Sequence, residues 1–221
     1  LWSHWKRYSL LGLLGVGCYN SLQYLALQTS TPINVTLVAS STPVFMLAMG
    51  ALFFKQAVRK RQIVGALLSI AGVLLVLCRG DWEALANVHW VIGDVFVLIA
   101  TLCWAWYSWL LSRTQAPSDV RGNWAYFLMA QMAFGLVWSG AFTAAEWSGY
   151  TGLVDVHISW DWGLVAALVY VAVGPALLAY RCWGLGVQSV GPNIAGFFAN
   201  LTPLFAAIMS TWVLGDMPQM Y

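Results

Sequence analysis

Long apolar segments are the feature that most constrains the fold of this chain. Seven runs of mostly apolar residues are each long enough to cross the roughly 30 Å hydrocarbon core of a bilayer. They lie at Tyr8–Leu27, Ile33–Phe54, Gln62–Cys78, Val91–Leu111, Trp124–Ala145, Trp162–Trp183 and Asn193–Leu214. Each must be helical, because a helix satisfies its own backbone polar groups in lipid whereas an open strand does not. The sequence therefore predicts an all-α polytopic membrane protein.

Composition supports a lipid-facing exterior and argues against several other classes of protein. The chain is 61% hydrophobic and only 8% charged, whereas soluble domains are about one quarter charged. No basic patch interleaved with aromatic residues indicates a nucleic-acid surface. The four cysteines lie in apolar runs without a C-x-x-C motif, so they are interpreted as small buried hydrophobes. We expect no metal site and no cofactor.

The charged residues predict the orientation of the chain. When the loops are numbered alternately, one face holds Lys6, Arg7, Lys55, Arg59, Lys60, Arg61, Arg113 and Arg121, with Arg181 at the same end of its helix. Most acidic residues fall on the opposite face. Because basic loops stay in the cytoplasm, the loop at Lys55–Arg61 is predicted to be cytoplasmic and the loop at Asp81–Val88 external. The expected location is the bacterial inner membrane.

An internal repeat appears when the chain is shifted by 160 residues. The shift superposes Leu25, Gln28, Pro32, Ala39, Thr42, Pro43, Phe45 and Met49 on Leu185, Gln188, Pro192, Ala199, Thr202, Pro203, Phe205 and Met209. The matched hairpins are five crossings apart, an odd number, so the second copy enters the membrane from the opposite side. This pattern predicts an inverted-repeat helix bundle, the architecture of many secondary transporters.

The repeat also predicts the domain organisation. If the repeating unit has five helices, residues 1–80 hold the last three helices of the first repeat and residues 91–221 the first four of the second. Residues 81–90 are then an external linker. On this interpretation the chain is a fragment of a ten-helix protein, with seven of the helices present.

Several motifs resemble the drug/metabolite transporter superfamily, in its branch with two EamA-type repeats. They are "ALQTSTPINVTLVASSTPVFMLAMGALF", "GALLSIAGVLLV", "CWAWYSWLLSR" and "AYRCWGLGVQSVGPNIAGFFANLTPLFAAIMSTWVLGD", which together span nearly the whole chain. The resemblance implies a ten-helix carrier that exports amino acids or other small metabolites. The family often has a Gly-Glu turn after each Thr-Pro helix, but this chain has Lys55-Gln56 after the first and Gly215-Asp216 after the second. A mechanism that needs both carboxylates is therefore not expected.

A Thr-Pro pair lies in the middle of each repeated helix. Proline lacks an N–H and clashes with the carbonyl four residues earlier, so Pro43 frees the carbonyl of Ala39 and Pro203 frees that of Ala199. An unpaired carbonyl is costly in lipid unless a neighbouring group or water satisfies it. We predict that both kinks line one central cavity and act as hinges or substrate contacts. The alternative is that they are packing kinks without contact to substrate.

Polar and aromatic residues on the same helices are the candidate substrate-binding residues. They are Tyr19, Asn20, Gln23, Ser41, Trp104, Tyr107, Tyr180 and Asn200. Amide and hydroxyl groups are costly in hydrocarbon and are expected to point inward, either to substrate or to other helices. Gln131 is interpreted as a hydrogen-bonding contact between helices. Aromatic walls would suit a flat, amphipathic substrate such as an aromatic amino acid.

These features predict a secondary transporter rather than an enzyme. Small organic metabolites, amino acids among them, are expected to cross the membrane by alternating access, with export as the direction. Neither a metal cluster nor a Ser-His pair lies within the apolar runs, so no enzymatic activity is predicted. The alternative is a seven-span receptor or sensor. The expected partners are a small-molecule substrate and the lipid bilayer, with the protein a monomer or a homodimer.

Overall fold

The structure, a computed structural model, describes residues 5–78, 90–113, 124–150 and 160–214. All regular secondary structure within these ranges is helical, as predicted. The helices are α1 (Trp5–Thr29), α2 (Pro32–Ala39), α3 (Thr42–Phe54), α4 (Lys60–Cys78), α5 (Ile92–Ser112), α6 (Trp124–Ala145), α7 (Trp162–Val190), α8 (Pro192–Ala199) and α9 (Thr202–Leu214).

Five described segments are long and apolar enough to cross a membrane. They are Trp5–Thr29, Asn34–Phe54, Ile92–Ser112, Trp124–Ser148 and Trp162–Val190. They correspond to the first, second, fourth, fifth and sixth predicted spans. The third predicted span is helical as α4, and the seventh is helical as α8 followed by α9. Apart from Trp90, the predicted linker at 81–90 lies outside the described residues.

Helix α1 runs antiparallel to α5. Near the start of α1, the Arg7 guanidinium donates a 3.4 Å hydrogen bond to the carbonyl of Arg113, just after the end of α5. Near the other end of α1, a Cβ on Gly93 would lie 2.5 Å from the carbonyl oxygen of Ala26, so the two backbones touch at the start of α5. The first residues of each helix therefore lie beside the last residues of the other.

Helix α7 runs parallel to α5 where the two meet. The ring of Tyr180 lies 5.6 Å from that of Trp104, and a Cβ on Gly184 would lie 3.9 Å from Leu111. Residue numbers thus rise together along α5 and α7. Because α1 opposes α5, the repeat-related helices α1 and α7 run in opposite directions.

The second pair of repeat-related segments is inverted in the same way. Asn200, which follows α8, contacts Ser40, whereas Gly196, earlier in α8, lies against Met46 in α3. Numbers rise along α8 where they fall along α3, so these segments are antiparallel. The predicted inverted-repeat bundle is therefore confirmed for the described helices.

Equivalent interruptions break the helices of both repeats. Helix α2 ends at Ala39 and α3 begins at Thr42, while α8 ends at Ala199 and α9 begins at Thr202, each bound shifted by 160 residues. Wider π-type turns also recur, at Leu13–Cys18 in α1 and at Ala172–Ala179 in α7, where Pro175 removes one backbone donor. The local sequence thus breaks both copies at matching places.

The core lies around α5. Three clusters of buried apolar side chains each include residues of this helix; their buried members are Met46, Met49, Ala105 and Trp109, then Leu11, Tyr107 and Leu111, then Ala26, Val38 and Val97. By contrast, α7 has no buried residue in its first half and exposes large apolar side chains such as Trp162 and Tyr170. Exposed apolar surface of this kind suits a lipid-facing helix.

Candidate functional site

Side-chain hydroxyls at the first Thr-Pro kink donate hydrogen bonds to backbone carbonyls just before it. Three consecutive hydroxyls each donate to the carbonyl three residues earlier: Ser40 to Leu37 at 2.6 Å, Ser41 to Val38 at 2.5 Å and Thr42 to Ala39 at 2.5 Å. Pro43 is almost completely buried. The Ala39 carbonyl, which was predicted to lose its helical donor, therefore receives one from Thr42.

The second kink has the same backbone but different partners. Thr202 donates to the carbonyl of Ala199 at 2.7 Å, as its counterpart does in the first repeat. Asn200 instead reaches across the interface: its Nδ2 donates to the Ser40 carbonyl at 3.0 Å and to the Ser69 hydroxyl at 2.8 Å. This side chain therefore joins α8 to the first kink and to α4.

A cavity of about 270 Å³ lies beside the second kink, between α4 and the α8–α9 bend. It is lined by Ser69, Gly72, Val73, Phe197, Asn200, Leu201, Pro203 and Leu204. Of the two kink prolines, Pro203 lines this cavity, whereas Pro43 packs close to Gly196 of α8. The expectation that one cavity is lined by both kinks is therefore not met by this cavity, because α8 covers Pro43.

Five aromatic side chains from three helices form what we name the aromatic cluster: Tyr19, Trp104, Tyr107, Tyr180 and Trp183. The Trp104 ring is its centre. It stacks on Tyr19 at 4.5 Å and meets Tyr180 edge-on at 5.6 Å. Trp183 lies 5.2 Å from Trp104 and donates from its indole nitrogen to the Ser108 hydroxyl at 3.1 Å. The cluster therefore joins α1, α5 and α7.

Tyr180, the residue after the second π-type turn, makes hydrogen bonds to the first π-type turn and to Asn20 just beyond it. The Tyr180 hydroxyl donates to the carbonyl of Gly15 within the first π turn, and it accepts from Asn20 Nδ2 at 3.3 Å. Gly15 also lets the helices approach, because a Cβ there would lie 2.6 Å from the Tyr107 ring. Tyr180 thus binds a backbone oxygen in one repeat from a side chain of the other.

A further buried amide lies beside the cluster on α6. Gln131 is 1% exposed, and its Nε2 donates to the Tyr107 hydroxyl at 2.9 Å, which fits its interpretation as a contact between helices. Its Oε1 is also buried and has no partner among the described residues. An unused acceptor therefore lies one hydrogen bond from the aromatic cluster.

The structure brings most of the candidate binding residues into two groups. Tyr19, Asn20, Trp104, Tyr107 and Tyr180 meet in or beside the aromatic cluster, and Gln23 interacts with Tyr19 one turn along α1. Ser41 and Asn200 lie at the kinks with Pro43 and Pro203. The hydroxyl of Ser41 is engaged by its own helix, whereas the amide of Asn200 crosses between repeats. Trp183 and Ser69 were not predicted as site residues, since single aromatic and hydroxyl residues carry no spacing signal.

Asp94, the third residue of α5, is a buried carboxylate. The sequence places it among the acidic residues of one membrane face, yet it is 1% exposed. Its carboxylate accepts from the Ser30 hydroxyl at 2.5 Å, from Asn34 Nδ2 at 3.3 Å and from the backbone N–H of Val91 at 2.9 Å. It therefore ties together the ends of α1, α2 and α5, which only the tertiary packing reveals.

Opposite charges collect at opposite ends of the described helices. At what we name the basic end, Arg113 donates to the carbonyl of Phe54 at 3.0 Å, and the Arg181 guanidinium lies 4.3 Å from the Trp124 ring centre. At the acidic end, Glu146 accepts from Gln28 at 3.4 Å. No group of three or more His, Cys, Asp or Glu side chains able to hold a metal occurs in the described part of the chain.

Comparison with known proteins identifies relatives along nearly the whole chain. The chain is 26% identical over 203 residues to the uncharacterized transporter YyaM of Bacillus subtilis (strain 168). This alignment covers 92% of this chain and 64% of that protein. It is 23% identical over 210 residues to the aromatic amino acid exporter YddG of Ancylobacter novellus, covering 94% of this chain and 66% of that protein. The chain thus spans about two thirds of the length of these relatives.

A solved structure and a family signature agree with these relatives. One crystal structure superposes with a TM-score of 0.69 at 18% identity, covering 99% of this chain and 70% of that one, which shows a shared fold. Residues 1–78 and 91–221 match the signature of the EamA-like transporter family. Taken with the inverted, doubly kinked helices, these matches show that the chain belongs to the EamA-like transporter family.

Proposed function

We propose that the protein is a secondary transporter that moves small organic metabolites across the inner membrane by alternating access. The observation that carries this proposal is the contact between counterpart residues of two inverted repeats, Asn20 with Tyr180 and Asn200 with Ser40. Inverted repeats give one fold two related conformations, in which each repeat takes the other's arrangement. Membership of a transporter family favours this function over a receptor or sensor.

The proposed substrates are flat, amphipathic molecules without net charge, with aromatic amino acids as the first class to test. The groups of the aromatic cluster and its neighbours are rings, amides and hydroxyls, and no charged side chain is among them. Rings favour stacking with a flat substrate, and the amides and hydroxyls can hydrogen-bond the ammonium and carboxylate of a zwitterion, whose net charge is zero. The resemblance to an aromatic amino acid exporter supports this class and supports export as the direction.

The packing of α8 supports a conformation closed towards the basic end. Gly196 of α8 lies against Pro43 and Met46, in the half of the bundle that leads to Phe54 and Arg113. The counterpart contact, between α2 and α9 in the other half, is at most marginal among the described residues. We infer that the site of this conformation opens to the acidic end, where an exported substrate would leave, and that bending at Ser40–Ser41 and Asn200–Leu201 exchanges the two contacts.

We further propose that the basic end, with the loop at Lys55–Arg61, faces the cytoplasm. Residues 1–80 and 91–221 would then contribute to two repeats joined by an external linker at 81–90. The assignment can be tested with single cysteines at Lys60 and Trp162 in whole cells. A membrane-impermeant maleimide should label Trp162→Cys from outside and should label Lys60→Cys only after the cells are lysed.

Transport itself is best tested in proteoliposomes loaded with a panel of labelled amino acids. We expect efflux of Trp, Tyr and Phe to exceed that of Asp and Lys, and the Trp104→Leu variant to raise the apparent KM for aromatic substrates at least about tenfold. Trp162→Leu is the matched control, because Trp162 is 86% exposed and lies far from the cluster in α7. Efflux of no member of a broad metabolite panel would contradict the transporter, whereas unchanged KM in Trp104→Leu would remove only the aromatic cluster as its site.

A further inference from the structure

Gln131 of α6 carries a buried amide of which one atom is paired and the other is not. Its Nε2 donates to the Tyr107 hydroxyl at 2.9 Å, whereas its Oε1 accepts no hydrogen bond from any described residue. A buried acceptor that has lost water without gaining a donor destabilises the conformation that contains it. Such groups are rare in native structures, and a functional role is one of the reasons for which they occur.

The packing of α1 against α6 keeps this amide beside the aromatic cluster. A Cβ on Gly12 of α1 would lie 2.9 Å from the Gln131 carbonyl oxygen and 2.7 Å from the Gly135 nitrogen, so the two helices touch at this level. The side chain of Gln131 is almost completely buried, so its amide cannot turn towards solvent in this conformation. Any further partner of Oε1 must therefore come from inside the bundle.

The aromatic cluster is the place from which such a partner can come. Its rings fill one another's space, because Tyr19 stacks on Trp104 at 4.5 Å and Tyr107 lies 5.1 Å from Trp104. The Tyr180 hydroxyl is already engaged by a backbone carbonyl. A substrate ring can enter only where these rings part, and a ring that enters beside Tyr107 lies next to the amide that Tyr107 binds.

We propose that Gln131 Oε1 selects aromatic substrates that carry a hydrogen-bond donor on the ring, such as the indole N–H of tryptophan or the phenol O–H of tyrosine. One unused acceptor matches one donor, whereas an ammonium group has three N–H bonds to satisfy. The amide is uncharged, so this hydrogen bond buries no charge. The inference rests on the proposed transport of aromatic amino acids and adds to it a residue that determines specificity.

The selection follows from the cost of an unpaired acceptor. A site built to bind a ring N–H or O–H discriminates against an analogue that lacks this group, because the acceptor then stays buried without a partner. Phenylalanine has no ring donor and would leave Oε1 unpaired. Tryptophan and tyrosine would satisfy it.

The test compares two substrates of the same shape in proteoliposomes. One is L-tryptophan and the other is benzothienyl-L-alanine, in which sulfur replaces the indole N–H. For the unmodified protein we expect an apparent KM at least about tenfold higher for the sulfur analogue. Gln131→Met keeps the length of the side chain and removes both amide atoms, so it should make the two KM values equal.

Tyr107→Phe is the matched control. It breaks the same hydrogen bond at Gln131 Nε2 but leaves Oε1 in place, so it should keep the preference for tryptophan. Loss of the preference in Tyr107→Phe as fully as in Gln131→Met would overturn the proposal, because the amide would then act only by holding Tyr107.

Two further outcomes separate this inference from the proposed function. Equal KM values for the two substrates in the unmodified protein would overturn the selection, and this measurement needs no variant to fold. A preference for tryptophan that persists in Gln131→Met would overturn it as well. Efflux of neither substrate from the unmodified protein would instead contradict aromatic amino acids as the transported class, and this inference with them.

Discussion

Asn200 and Ser40, which lie 160 positions apart in the repeat, are joined by a 3.0 Å hydrogen bond from Asn200 Nδ2 to the Ser40 carbonyl. Asn20 and Tyr180, also 160 apart, are joined at 3.3 Å. Residues that a two-fold operation interchanges can touch each other only close to its axis. These two pairs therefore mark the pseudo-two-fold axis between the described halves of the chain, and substitutions there test the repeat directly.

The Asn200→Ala substitution should loosen the second kink. It removes both donors that reach the Ser40 carbonyl and the Ser69 hydroxyl, and a buried acceptor left unpaired costs about 1–3 kcal/mol. We expect a lower melting temperature in detergent and slower transport. Asn193→Ala is the control, because the buried Asn193 Oδ1 has no partner among the described residues and its removal should cost little. Equal losses of stability and transport in both variants would argue against a role for Asn200 in joining the two repeats.

The Thr42→Val substitution should leave the Ala39 carbonyl of the first kink without a hydrogen-bond donor, while it keeps the shape of the side chain. It removes the hydroxyl that donates to the carbonyl of Ala39, where Pro43 leaves no backbone donor. We expect a loss of stability of about 1–3 kcal/mol, measured by denaturation in detergent. The exposed Thr143→Val change on α6 should leave stability within about 0.5 kcal/mol of the parent. A neutral Thr42→Val would mean that another group takes over this carbonyl.

The Tyr180→Phe substitution keeps the ring of the aromatic cluster and removes its hydroxyl. The Gly15 carbonyl and Asn20 Nδ2 then each lose a partner, so we expect a destabilisation of about 1–3 kcal/mol. Tyr170→Phe on the same helix is the matched control, since Tyr170 is 66% exposed. Thermal melts of the two purified variants should show a lower melting temperature for Tyr180→Phe than for Tyr170→Phe. Equal melting temperatures would show that the hydrogen bonds of the Tyr180 hydroxyl do not stabilise the protein.

The Gly196→Leu substitution should hold α8 away from α3. Even a Cβ there would lie 2.8 Å from the Met46 sulfur and 3.4 Å from the Pro43 Cα, so a larger side chain cannot be accommodated without separation. If closure at this seam is part of the cycle, the transport rate should fall at least about tenfold. Gly186→Leu, where nothing lies within 4 Å, should transport normally. Normal transport by Gly196→Leu would show that this contact need not close.

The Asp94→Asn substitution should destabilise the protein more than the similar shapes of the two side chains suggest. An amide nitrogen cannot accept from Ser30, Asn34 and the Val91 N–H as two carboxylate oxygens do, so a donor is left facing a donor. We expect a loss of about 1–3 kcal/mol in a denaturation assay. Asp161→Asn is the control, because this exposed residue caps Leu164 with one oxygen that asparagine retains. Equal stability of the two variants would contradict a structural role for the Asp94 network.

Features that repeat in the sequence were predictable, because a repeated local pattern produces a repeated local structure. Pro43 and Pro203 gave the positions of both helix breaks, and the odd number of crossings between them gave their inversion. Tyr19, Trp104 and Tyr180 were singled out because aromatic and polar groups in the middle of a span need a protein-facing position. The structure brings these three rings together.

Features that depend on long-range packing were not predictable. The burial of Asp94 needs Ser30 and Asn34 from another part of the chain. The two kinks also differ in a way that their common Thr-Pro motif conceals: α8 covers Pro43, whereas Pro203 lines a cavity. One sequence pattern thus acquires two environments from its neighbours.

The serial hydroxyl contacts at Ser40, Ser41 and Thr42 bear on how the membrane stays sealed. The carbonyls of Leu37, Val38 and Ala39 need no water when this joint bends, since the hydroxyl that donates to each lies three residues away on the same segment. Such a joint can bend inside the membrane without forming a continuous chain of water molecules along which protons could cross. On the proposed alternating-access cycle, this half of the protein would therefore bend while staying impermeable to protons.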